Sequence, residues 1–190
     1  MTRAQRRLAP RGCAFHPASV TSAIIVAAGQ GTRMGPGVDK LFLELAGRPV
    51  VAHTWQRFND VADVAEIVLV VRAGQQPAFT DLARRYGFQK PFRLVAGGAE
   101  RQDSVWHGLA ALSPQTQIVA IQDAARPCTG AALIRATIAA ARETGAAVAA
   151  QPVTDTIKES ADGRLIDGTL DRRRLWAVQT PQTFQVDVIR

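Results

Sequence analysis

Apolar runs rich in β-branched residues recur along the chain at residues 23–28, 66–72, 92–96, 117–122 and 146–151. The intervals at 49–59, 75–86, 101–112 and 130–143 read differently, with apolar positions returning every third or fourth residue, the spacing of one helical face. Strand and helix patterns alternating in this way predict βαβ units and a mostly parallel sheet covered on both faces, a three-layer α/β sandwich. Right-handed crossovers then gather the carboxyl ends of the strands along one edge, where open sheets of this kind bind ligands. Gly29, Gly97 and Asp123 each follow a strand pattern and so share that edge.

Length and composition narrow the class. A chain of 190 residues with 47% hydrophobic positions can bury one substantial core, and residues 21–190 read as one domain. No apolar stretch approaches the roughly 18 residues of a membrane span, so the expectation is a soluble protein without a membrane partner. Cys13 and Cys128 are the two cysteines, too few for a disulfide framework or a cysteine-built metal site, which makes a reducing cytoplasm the default.

The net charge of +7 raises the question of nucleic acid, but Arg3, Arg6, Arg7 and Arg11 crowd the first residues. Residues 1–20 carry no acidic residue and read as a disordered basic leader. The remaining basic residues fall largely within segments suited to phosphate, without the aromatic interleaving of a nucleic-acid platform. Nucleic acid is therefore set aside as a partner.

The segment behind the first strand, Ala27-Ala28-Gly29-Gln30-Gly31-Thr32-Arg33-Met34-Gly35 with Lys40 shortly after, carries the most chemistry. Glycines let the backbone approach an anion closely and turn its N–H groups inward, and Arg33 and Lys40 supply the charge that triphosphate oxygens require. The spacing matches neither a Walker loop, G-x-x-x-x-G-K-[ST], nor a dinucleotide fingerprint, G-x-G-x-x-G. On residue types alone, an ordinary glycine turn stays open as the alternative.

Asp123 ends an apolar run and precedes Ala124-Ala125-Arg126, so a carboxylate emerges at the sheet edge beside small residues. It suits Mg2+, which typically takes one or two carboxylates and completes its shell with substrate phosphates; a helix cap or an Asp123–Arg126 ion pair is the alternative. Gly97 and Gly98 could turn the chain, with Ser104 in the helix that follows. Asp162-Gly163 within the polar segment 158–168 signals a hairpin. A β-arm over about 153–172 is the expectation, stabilised by docking or by a second copy.

Five segments in order resemble one family: 27–35 with Lys40, Gly97–Val105, Asp123-Ala124-Ala125-Arg126-Pro127, Asp155-Thr156-Ile157-Lys158, and 171–176 running into Gln179-Thr180-Pro181-Gln182-Thr183-Phe184. Together they resemble 2-C-methyl-D-erythritol 4-phosphate cytidylyltransferases of the non-mevalonate isoprenoid pathway, with ribitol 5-phosphate cytidylyltransferases as cousins. The resemblance implies a Rossmann-like nucleotidyltransferase fold with a protruding β-arm, and CTP and a sugar-alcohol phosphate as substrates. It places Ala27, Ala28, Gly29, Gly31 and Ala124 around the nucleotide, and Gly97, Gly98 and Ser104 at the cytosine. Ala99 departs from the polar residue many members carry there.

By the same resemblance, Arg33, Lys40 and Arg172 are catalytic, Asp123 holds Mg2+, and Arg126, Thr156 and Arg172 bind the acceptor. The arm would join a homodimer. Family members continue for several tens of residues past 179–184, so the C-terminal part of the domain is expected to be missing. Two other readings stay open: a different nucleotidyltransferase of this fold, using ribitol 5-phosphate or acting as a molybdenum-cofactor guanylyltransferase does, and a domain that binds nucleotide without turning it over.

Overall fold

A computed structural model of the chain describes residues 20–29 and 39–190. The leader at residues 1–20 lies, but for Val20, outside the described residues, as do Gly31 and Arg33. In chain order the elements are β1 (Thr21–Ala27), β2 (Glu44–Leu45), β3 (Arg48–Pro49), α1 (Val50–Asn59), β4 (Val64–Val71), α2 (Gln76–Tyr86), β5 (Phe92–Ala96) and α3 (Arg101–Ala110). They continue as β6 (Ile118–Asp123), α4 (Ala131–Thr144), β7 (Ala146–Pro152), β8 (Lys158–Glu159), β9 (Gly168–Thr169), β10 (Trp176–Gln185) and α5 (Val186–Ile189).

The main sheet has six strands in the order β5-β4-β1-β6-β10-β7. β1 lies parallel to β4 on one side and to β6 on the other, and β4 to β5. Alternation along the central strands sends side chains to two separate cores. Ala23, Ile25 and Ala27 of β1 join Ile67, Leu69 and Val71 of β4 on the face covered by α1, α2 and α4, where Trp55, Phe58, Phe79, Ile134 and Ile138 are buried. Ile24, Val68, Val70, Val119 and Ile121 point the other way, against Leu109 and Leu112 from α3 and the segment after it. A parallel sheet buried on both faces needs such continuous apolar runs, which is why β1 from Ala23 and β4 from Ile67 onward carry no polar residue.

Local signals place the helices. Glu100 and Asp103 form a reciprocal capping box at the start of α3. Gly87 closes α2 in the left-handed conformation, φ 63°. Gly108 sits inside α3 against β1, where an added Cβ would lie 2.8 Å from Ile24 Cγ2. Its helix penalty, about 1 kcal/mol relative to alanine, is the condition for packing α3 this close to the sheet.

The sequence pattern missed one strand of the main sheet, and the short β2–β3 pair outside it. β10 inserts between β6 and β7, antiparallel to both. Pro181 disguises it, because proline donates no ladder hydrogen bond and argues against a central strand. β10 accommodates the proline with a register shift between Val178 and Gln182. The remaining strands differ from expectation mainly at their ends, β4 starting at Val64.

Residues 158–169 form a separate two-stranded ribbon, Lys158 opposite Thr169 and Glu159 opposite Gly168. Its turn is held by Asp162 Oδ1, which accepts the N–H groups of Arg164 at 2.8 Å and Leu165 at 3.0 Å, and Gly163 adopts φ 72°. Among the described residues no helix is long and apolar enough to cross a membrane.

Candidate functional site: a cleft at the carboxyl ends of β1 and β6

The chain leaves β1 toward β4 and returns on its other side as β6, so the sheet order reverses between β1 and β6. Open α/β sheets present a crevice at such a point, because the connections following the two strands diverge to opposite faces. A cleft of about 660 Å³ lies there. Val26 is in register with Asp123, and the Ala124 N–H donates to Val26 O at 3.0 Å, so the two strand ends are tied together at its floor.

Three connections build the walls. Ala27, Ala28 and Gly29 continue from β1, and Lys40 and Leu41 follow where the described chain resumes. Gly98, Ala99, Glu100, Arg101 and Ser104 come from the turn before α3 and its first turns. Asp123, Ala124, Ala125 and Arg126 end β6. Of the residues selected from sequence, Ala27, Ala28, Gly29, Lys40, Gly98, Ser104, Asp123, Ala124 and Arg126 are thus brought to one cleft.

The glycine pair owes its identity to space and not to a turn. Neither glycine has a positive φ. A Cβ on Gly97 would lie 2.2 Å from Ala28 Cβ and 2.9 Å from Ser104 Oγ, and one on Gly98 would lie 2.3 Å from Asp103 Cβ. The strand-end turns after β1 and β5 therefore touch directly. Ser104, 2% exposed, accepts the Gly98 N–H on its hydroxyl at 3.1 Å and fixes the loop from beneath.

Asp123 is held from both sides. Arg101 donates from Nε at 3.1 Å and Nη2 at 3.0 Å to Oδ1, and Arg126 Nε lies 3.3 Å from Oδ2. The ion pair considered from sequence is present, in a carboxylate that also faces the cleft. Arg101 Nη2 reaches Gln182 Oε1 of β10 at 3.3 Å, and the Asp123 N–H donates to Thr180 Oγ1 at 3.3 Å. The Ala124 carbonyl accepts the buried hydroxyl of Thr54 at 2.7 Å. Arg101 received no role from the sequence. Its position in the first helical turn behind a glycine pair at the sheet edge was the signal that could have found it.

Thr156 and Arg172 do not line this cleft. Both are exposed on the segment between β7 and β10, and Arg172 Nη1 donates to Thr154 O at 2.6 Å. Among the described residues no group of three or more His, Cys, Asp or Glu side chains could cage a metal. Lys40, Arg101, Arg126 and the N-terminus of α3 face the cleft instead, an arrangement suited to binding anions and neutralising charge that develops on them.

Known proteins agree with this chemistry. The model of the 2-C-methyl-D-erythritol 4-phosphate cytidylyltransferase family matches residues 21–190. A 2-C-methyl-D-erythritol 4-phosphate cytidylyltransferase of Alkaliphilus oremlandii is 48% identical over 172 residues, 90% of this chain and 73% of that protein. One from Pelotomaculum thermopropionicum is 43% identical, covering 88% of this chain and 71% of its own length. The crystal structure of 4-diphosphocytidyl-2C-methyl-D-erythritol synthase from Anaerococcus prevotii superposes with a TM-score of 0.80 at 33% identity, over 91% of this chain and 74% of that one. Pattern, relatives and fold coincide, and the chain belongs to the 2-C-methyl-D-erythritol 4-phosphate cytidylyltransferase family.

Proposed function

We infer that the protein transfers CMP from CTP to 2-C-methyl-D-erythritol 4-phosphate and releases pyrophosphate, a step of isoprenoid biosynthesis. Besides family membership, one observation carries the reading: the cleft at the sheet reversal brings Lys40, Arg101, Arg126 and two close-packed backbone loops together around the Asp123 carboxylate.

An oxygen of the acceptor's phosphate forms a bond to the α-phosphorus of CTP, the bond from that phosphorus to the oxygen bridging the β-phosphate breaks, and the electron pair leaves with pyrophosphate. A phosphate monoester is already anionic near neutral pH, so the protein's work is to position two anions that repel each other and to neutralise the charge of the transition state. Lys40 does this at the reacting phosphate, and Arg33 supplies further charge to the triphosphate. Backbone N–H groups at Ala28 and Gly29 bind the phosphates, and the Gly97–Gly98 turn, stiffened by Ser104, receives the base.

Asp123 is the residue we assign to Mg2+. The donor set fits: the partly exposed Asp123 carboxylate, oriented by two arginines, would leave the rest of a magnesium shell to triphosphate oxygens and water. When bound, the ion shields the triphosphate and stabilises the departing pyrophosphate. Thr156 and Arg172 hold the acceptor phosphate in our reading by reaching the cleft of a second copy. Their exposure, and the exposed Leu165 and Ile166 on the same segment, support such a homodimer. Cys128 is a free, exposed thiol, which suits a reducing cytoplasm.

The test is pyrophosphate release from CTP, Mg2+ and 2-C-methyl-D-erythritol 4-phosphate, with Asp123→Ala as control and ribitol 5-phosphate as the competing acceptor. Turnover with the erythritol phosphate that vanishes in the variant is expected. Turnover confined to another acceptor or nucleotide, or CTP binding without release, would overturn the substrate assignment.

A further inference from the structure

Asp39 lies where the described chain resumes beside the cleft, and its surroundings are more elaborate than a loop requires. Its Oδ2 pairs with Arg72 Nη2 and accepts from Gln75 Nε2 at 3.4 Å, while Oδ1 accepts the Leu41 N–H at 3.1 Å. Arg72 Nε donates to Gln75 Oε1 at 3.3 Å, so the three side chains close a triangle. Arg72 is the first residue beyond β4, whose Val71 is in register with Ala27. The triangle therefore stands at the same sheet edge as the Ala28-Gly29 turn.

Lys40 sits between two anchored residues. On one side is Asp39, tied to the end of β4. On the other is Leu41, 2% exposed, whose carbonyl accepts the Val51 N–H at 3.0 Å; the Phe42 N–H closes on Asp39 O at 3.0 Å. Lysine is a point charge on a four-carbon stem, and where its ammonium arrives depends on where its Cα is held.

We propose that the Asp39–Arg72 pair is a positioning device for Lys40, transferring the rigidity of the β4 edge to the backbone that carries the ammonium into the cleft. The inference rests on the role given to Lys40 in the transfer reaction. Charge-assisted hydrogen bonds between partly exposed side chains, 29% for Arg72 and 23% for Asp39, are directional enough to set a backbone segment. A displacement of about 1 Å at a reacting group can lower a rate about 100-fold.

The test compares Asp39→Asn, Arg72→Gln, the double variant and Arg72→Lys, with Lys40→Ala and Lys40→Ala/Arg72→Gln alongside, reading kcat and KM for CTP by pyrophosphate release and folding by thermal melt. Each single variant at the pair should lower kcat by about 10- to 100-fold and change KM by less than about threefold, the pattern of an interaction made in the transition state. The double variant should be no worse than either single, Arg72→Lys should recover part of the loss, and Arg72→Gln should lower kcat no further once Lys40 is alanine.

Wild-type kcat in folded Arg72→Gln and Asp39→Asn, or an equal further loss in the Lys40→Ala background, would overturn the proposal. Should Arg72→Gln fail to fold, the isosteric Asp39→Asn and charge-keeping Arg72→Lys decide it on the same criteria. Normal turnover in Lys40→Ala would remove Lys40 from the reaction and the device with it, an outcome that this variant alone distinguishes from failure of the pair.

Discussion

Arg101 at the start of α3 and Asp123 at the end of β6, 22 residues apart, meet through two hydrogen bonds of 3.1 and 3.0 Å to a single carboxylate oxygen. The arginine side chain is 47% exposed and the aspartate 34%, so solvent screens the pair and its worth to folding is small. Its effect is orientation: the carboxylate is aimed by a helix from one side and by Arg126 of its own turn from the other.

Arg101→Gln is therefore expected to separate activity from stability. The melting temperature should stay within about 2 °C of the parent, as for loss of an exposed ion pair. kcat/KM for CTP should fall by about 10- to 100-fold, the cost of losing a residue that orients the carboxylate assigned to Mg2+. Unchanged kcat/KM in pyrophosphate release would show that Arg101 only decorates the cleft.

Gly97→Ala should act through packing. The new methyl group would meet Ala28 Cβ at 2.2 Å, a distance at which one of two backbone turns must move. Overpacking of this kind costs about 1–3 kcal/mol, visible as a lower melting temperature. Ala28→Gly in the same chain should return part of the loss, since it removes the nearer opposing atom and leaves Ser104 Oγ at 2.9 Å; a double variant as unstable as the single would refute the contact.

Ser104→Ala removes the acceptor of the half-buried Gly98 N–H. The cost is about 0.5–1.5 kcal/mol, divided between folding and the order of the loop. Calorimetric titration with CTP should show weaker binding. Affinity equal to the parent's would detach Ser104 from nucleotide recognition.

Asp171 offers a pH dependence with a definite sign. Hydrogen bonds from the Arg173 side chain, and next from the Arg173 N–H, hold its carboxyl below the usual carboxylate range. A depressed folded value contributes stability that is present above the unfolded pKa and is lost as pH falls through the folded one. Carboxyl NMR titration should give Asp171 a midpoint below that of a free aspartate. Arg173→Gln should move it upward; an unmoved midpoint would assign the shift to another cause.

Much of the fold was legible because its signals are local. The apolar runs of β1 and β4, the helical spacing of α1 to α4, and the order of strand and helix are carried within short windows, and crossover handedness converts them into a sheet with a defined ligand edge. Gly29, Gly97 and Asp123 could be placed at one edge for that reason, while the family resemblance assigned Lys40, Gly98 and Ser104 to the same site. β10 could not be read, since Pro181 breaks the pattern that would have marked it and its pairing depends on β6 and β7 lying apart to admit it.

Sequence alone determined the alternating elements, the sheet edge and the types of residue delivered to it, because each follows from periodicity and chain order. Tertiary structure alone decided which polar groups meet across long stretches of chain. Arg72 finds Asp39 across 33 residues, Thr180 takes the Asp123 N–H across 57, and Gln182 touches Arg101 across 81. Such pairs depend on strand order and on the depth to which each loop is held, quantities that no stretch of the chain contains by itself.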